Sequence, residues 1–117
     1  MNDEQKLIQP NLFDNSAKSV ESEGVVLFAL GDFQSRGKTL VARQLPLDRL
    51  RGAFKRAAEK FETSEMSDEK IAEHLEKLGA KIVRVPNFVA KHPFRVTVSL
   101  ELAERAQTVY QKTLEND

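Results

Sequence analysis

The run GVVLFALGDF, residues 24–33, decides how the rest of the chain is read. Val25 to Phe33 is rich in β-forming residues, is bounded by Gly24, and is followed by the turn residues Gln34, Ser35, Arg36 and Gly37. Lys38 to Leu45 then alternates, with Thr39, Val41, Arg43 and Leu45 against Leu40, Ala42 and Gln44, and the two runs together predict a β-hairpin. Pro46 ends that strand and opens a helix. There Leu47, Leu50, Phe54, Ala57 and Phe61 recur at steps of three and four and form one apolar stripe. A second helix is expected from Ser67 as N-cap, with Asp68 and Glu69 in its first turn, a stripe of Ile71, Leu75 and Leu78, and a stop at Gly79. Lys81 to Val85, closed by Pro86, and Phe94 to Leu100 form a second hairpin. In its second strand Phe94, Val96, Val98 and Leu100 face one way, and Arg95, Thr97 and Ser99 the other. Leu102 to Leu114 closes the chain as a third helix, packed through Leu102, Ala103, Ala106, Val109, Tyr110 and Leu114. The expected fold is α+β, a small antiparallel sheet from two hairpins with three helices, in the order β-β-α-α-β-β-α. Residues 1–23 lack periodicity and are expected to be a flexible tail, with residues 24–117 as a single domain.

Composition narrows the function classes. A chain of 117 residues, 40% apolar and 31% charged, fits one small core. The absence of cysteine excludes disulfides, Cys-type zinc sites and thiol nucleophiles. No apolar run approaches a membrane span, and the opening residues lack the basic and apolar regions of a signal peptide, so a soluble, cytoplasmic protein with no membrane partner is expected.

Eighteen basic and eighteen acidic residues cancel, yet they are segregated. Net charge runs −4 over residues 1–33, +6 over 34–61, −5 over 62–76, +5 over 77–100 and −2 over 101–117. If folding brings the two basic stretches together, they form a single-sign face suited to phosphates. The candidate contacts are Arg49, Arg51, Lys55, Arg56 and Lys60 on the first helix, with Lys81, Arg84, Lys91, His92 and Arg95 on the second hairpin. Arg49, Arg56 and Lys60 fall near one outward line, with Arg51 and Lys55 on the adjoining flank. The alternative is that basic and acidic blocks pair within the monomer.

Catalytic signals are weak. Gly31 to Thr39 approaches a phosphate-cradling loop, but five residues separate its glycines where four are needed. His74 lies among Glu73 and Glu76 with no second imidazole at metal-ligand spacing, and no nucleophilic arrangement is visible. No enzyme activity, metal or cofactor is expected.

Two short segments resemble known families. Gln9-Pro10-Asn11-Leu12-Phe13 resembles the Gln-x-x-Leu-Phe peptide with which bacterial replication and repair proteins bind the sliding clamp. The resemblance implies that Leu12 and Phe13 fill an apolar pocket while Gln9 hydrogen-bonds at its rim. Pro10 departs from the leucine often found there, and packing of the same residues on the domain is the alternative. Phe94 to Ala106 resembles the strand and first helix of a ribbon-helix-helix repressor, which would make Arg95, Thr97 and Ser99 base readers. The expected function is therefore a non-catalytic accessory protein associated with nucleic acid, with DNA in replication or repair as the expected partner. Its basic helix and hairpin would bind phosphates, and its tail would reach a clamp. The rival is a protein-interaction or inhibitor module using Glu62, Glu65, Asp68, Glu69, Glu73 and Glu76 against a basic partner. The open edges of a small sheet also leave room for a homodimer.

Overall fold

The computed structural model describes residues 22–86 and 94–116. Over these the chain is α+β, with four α-helices, one 3-10 helix and a three-stranded antiparallel sheet.

The first hairpin is absent among the described residues: residues 22–35 are a helix, α1, and it already includes residues 22 and 23 of the expected tail. Val25 to Leu30 and Phe33 are all buried, in one cluster with side chains from every later helix and from the sheet. A helix apolar on all sides is stable only at the centre of a core, and packing there overrides the β preference of its valines and phenylalanines. Gly31 permits the close crossing with the last helix, because a methyl group in its place would fall onto Tyr110 Cβ and lie 2.7 Å from the Ala106 carbonyl oxygen. Gln34 to Gly37 thus finish a helix instead of turning a hairpin. The Gly37 N–H donates to the Gln34 carbonyl at 3.0 Å, with Gly37 itself left-handed at φ 81°.

Little of Lys38 to Leu45 is strand. Val41 forms an isolated parallel bridge with Val98, Ala42 turns left-handed at φ 56°, and its N–H donates to the Val98 carbonyl at 2.9 Å. β1 is only Leu45–Pro46. A 3-10 turn, Leu47–Leu50, leads into α2, Arg51–Lys60, with Leu47, Leu50, Phe54 and Ala57 buried as the stripe requires. Phe61, just past α2, remains 39% exposed, edge-on to Phe28.

The rest follows the sequence more closely. α3, Asp68–Lys77, is capped by Ser67, whose Oγ accepts the Lys70 N–H at 3.2 Å, and it ends at Gly79 in a left-handed turn. β2, Lys81–Arg84, pairs antiparallel with β3, Phe94–Thr97, and β1 pairs antiparallel with the other edge of β3. The order is β1-β3-β2. β3 therefore has a neighbour on both edges, which leaves it unable to pair with a second copy as a ribbon-helix-helix strand. α4 spans Leu100–Glu115, with the Ser99 hydroxyl accepting the Leu102 N–H. That cap turns Leu100 outward, 59% exposed, where an inward strand residue was expected, and Leu114 is exposed as well.

Candidate nucleic-acid interface

α2 buries one face, and its basic residues divide between two flanks. Arg56 and Lys60, one turn apart, continue the line of Arg49; Arg51 and Lys55 occupy the other flank, with Gly52 and Glu59 between. The first flank adjoins α1. Arg56 donates from Nε at 2.8 Å and from Nη2 at 2.5 Å to Asp32 Oδ2, and Arg36 Nε donates to the same oxygen at 3.3 Å. Asp32 is only 5% exposed and is the one buried charged residue among the described residues. A carboxylate in that setting needs cationic partners to offset its lost hydration. The two arginine side chains stay open to solvent, 38% exposed for Arg56 and 50% for Arg36. One buried negative charge thus positions two guanidinium groups and leaves the cluster net positive.

Asp32 and Arg36 were not among the expected site residues. Their signal in the sequence is a lone carboxylate in an apolar run four positions before an arginine, a spacing that means contact only on a helix.

The second flank adjoins α3. Arg51 Nη2 donates to both Asp68 oxygens, at 2.8 and 2.7 Å, and Arg51 Nε lies 3.5 Å from Asp48. Across the same turn of α3, Arg84 of β2 approaches Glu69 at 3.9 Å. The two basic stretches consequently converge on the acidic first turn of α3 and do not merge into one continuous field: Asp68 and Glu69 lie between them. These pairs are solvent-exposed and individually worth at most about 1 kcal/mol.

The hairpin divides its own cations. Lys81 pairs with Thr97, and Arg95 stands between Val83 and Pro46, so Lys81 and Arg95 share the sheet face turned away from the core. Arg84 lies opposite Phe94 on the core-facing side, its guanidinium 4.5 Å above the Phe94 ring. Lys91 and His92 lie outside the described residues, as do Gln9, Leu12 and Phe13 of the tail. Arg49, Lys55 and Lys81 are exposed, and Lys60 and Arg95 are half-buried.

His74 sits on a flank of α3, where burial and then Lys77 hold its imidazole below the ordinary value. Among the described residues no helix is long and apolar enough to cross a membrane, and no three His, Asp or Glu side chains gather as metal ligands. Comparison of the chain with protein-family models, with curated proteins and with solved structures gives no match.

Proposed function

We propose that the protein is a non-catalytic accessory protein that binds nucleic-acid phosphates through the basic line of α2. The observation that supports this reading is the pair of guanidinium groups, Arg36 and Arg56, fixed on one oxygen of buried Asp32 beside Arg49 and Lys60. Arginines already held in place lose little further freedom on meeting a phosphate, and their outward N–H groups match its oxygens. The chain as a whole carries no net charge, so attraction to a polyanion must come from such a local field. Lys81 and Arg95 on the outer sheet face would add phosphate contacts from the hairpin. The tail peptide with Gln9, Leu12 and Phe13 would tether the protein to a sliding clamp, and Leu12→Ala with Phe13→Ala should then abolish co-purification of the clamp.

Arg56 is unsuitable for charge reversal, because a glutamate there would face the buried Asp32 carboxylate and unfold the seam it joins. Arg49→Glu with Lys60→Glu avoids the buried carboxylate and tests the line, with a thermal melt to check that the variant stays folded. Anisotropy of a short labelled DNA, duplex and single-stranded, should show affinity falling steeply between about 50 and 200 mM salt. The double variant should bind at least tenfold more weakly, with a log–log salt slope shallower by roughly two. Affinity insensitive to salt, or equal in the variant, would show that α2 carries no phosphate site.

A further inference from the structure

β2 is an outer strand of the sheet, and its one ladder partner is β3. Among the described residues no backbone hydrogen bond reaches its other edge. An open edge presents alternate N–H and C=O groups to any chain that lies alongside in extended form. On the core-facing side of this strand, an open cleft of about 320 Å³ separates β2 from α3. Ala72, Ile82 and Phe94 give it an apolar floor, and Glu69, Glu73 and Glu76 of α3 line its wall.

The chemistry of the cleft is already displayed at one end. Arg84 lies over the Phe94 ring and reaches towards Glu69, so a cation above an apolar floor and beside a carboxylate is a stable arrangement there. Further along, among the described residues, Glu73 has an exposed ion pair with Lys70 at 3.8 Å and lies beside His74, and Glu76 forms no ion pair. Side chains two apart on a strand are about 7 Å apart, a spacing between the rise of about 4.5 Å from Glu73 to Glu76 and that of about 10 Å from Glu69 to Glu76. The long side chains of two same-face lysines or arginines on an added strand span that difference and reach the acidic row.

We propose that the β2 edge and the α3 wall form a docking groove for an extended, cationic segment of a partner protein. The segment adds as a fourth strand and directs alternate Lys or Arg side chains at Glu73 and Glu76. Charge selects this occupant. Residues 1–21 of the chain itself carry four acidic residues against two lysines and are mismatched to the wall. A second copy pairing antiparallel through β2 would bring only Ile82 and Arg84 to the core-facing side, and Arg84 already lies over its own Phe94 beside Glu69, so it offers no pair of cations for Glu73 and Glu76. The groove is independent of the phosphate-binding reading, since it uses neither α1 nor α2.

The test uses the full chain and a fluorescein-labelled hexapeptide alternating lysine and valine. Saturable one-to-one binding is expected, with at least a tenfold loss for Glu73→Lys with Glu76→Lys and for the peptide bearing glutamate in place of lysine. Arg49→Glu with Lys60→Glu should leave it unchanged, which separates this site from the α2 line. Because only alternate amides of a strand face its neighbour, methylating every second peptide nitrogen should weaken binding at least tenfold in one phase and be tolerated in the other. Equal tolerance of both phases, or indifference to the α3 reversals, would mean loose charge contact and overturn the proposal. So would a free protein that is already dimeric with its β2 amides protected from exchange.

Discussion

Glu62 and Gly79 hold the same backbone position at the ends of successive helices. Each is left-handed, at φ 53° and 105°, and each is followed by a residue whose N–H closes back on the helix: Thr63 on the Ala58 carbonyl and Ala80 on the Leu75 carbonyl, both at 2.9 Å. Only glycine adopts that conformation without a Cβ penalty, so Glu62→Gly should raise unfolding stability by about 1 kcal/mol in urea titration. A loss would mean that the Glu62 side chain contributes more than its backbone costs. His74 gives a second expectation. Its folded-state pKa is lowered from 6.5, chiefly by burial, so the unfolded chain takes up a proton more readily. The stability it contributes is fully present above that ordinary value and is lost as pH falls through the lowered one. The melting temperature should thus drop less between about pH 7.5 and 5 in His74→Gln than in the parent. Parallel curves would assign acid sensitivity elsewhere.

At the scale of elements, the crossing of α1 and α4 depends on one missing methyl group. Gly31→Ala gains about 1 kcal/mol of helix propensity but drives a methyl into the Tyr110 Cβ and the Ala106 carbonyl, and neither is the movable end of a side chain. Overpacking of that kind costs about 1–3 kcal/mol, more where backbone must shift, so a net loss of about 2 kcal/mol is expected by chemical denaturation. A neutral result would mean that the two helices do not approach so closely. The α1–α2 seam works differently, since Asp32 joins the helices by charge where Gly31 joins them by shape. Gln34 adds a third tie, its Nε2 donating to the Ala103 carbonyl of α4 at 3.0 Å.

For the whole molecule, what could be read from the sequence follows from which elements have two unlike faces. α3 announces itself through Ser67, its acidic first turn and Gly79. α2 does so through its stripe, and β3 through the alternation of Phe94, Val96 and Val98 with Arg95 and Thr97. α1 has no polar face, so it lacks the periodicity that separates a buried helix from a buried strand, and its β-rich run predicts a strand where the structure has a helix. The charge pairs were illegible for another reason: Asp32 with Arg56 and Arg51 with Asp68 are 24 and 17 residues apart and meet only through the packing of helices. With α1 enclosed by every later element, its amides from Val26 to Phe33 should exchange hydrogen only through global unfolding and be the slowest in the chain. Exchange as fast as in α4 would place the centre of the core elsewhere. The position of α1 also bears on biosynthesis. During translation this greasy cylinder leaves the ribosome ahead of all its neighbours, and Ala106 and Tyr110, which seal its glycine, emerge some seventy-five residues later. Until then the nascent polypeptide displays its stickiest segment to chaperones and proteases, and a chain lacking α4 would leave the Gly31 side of that cylinder uncovered.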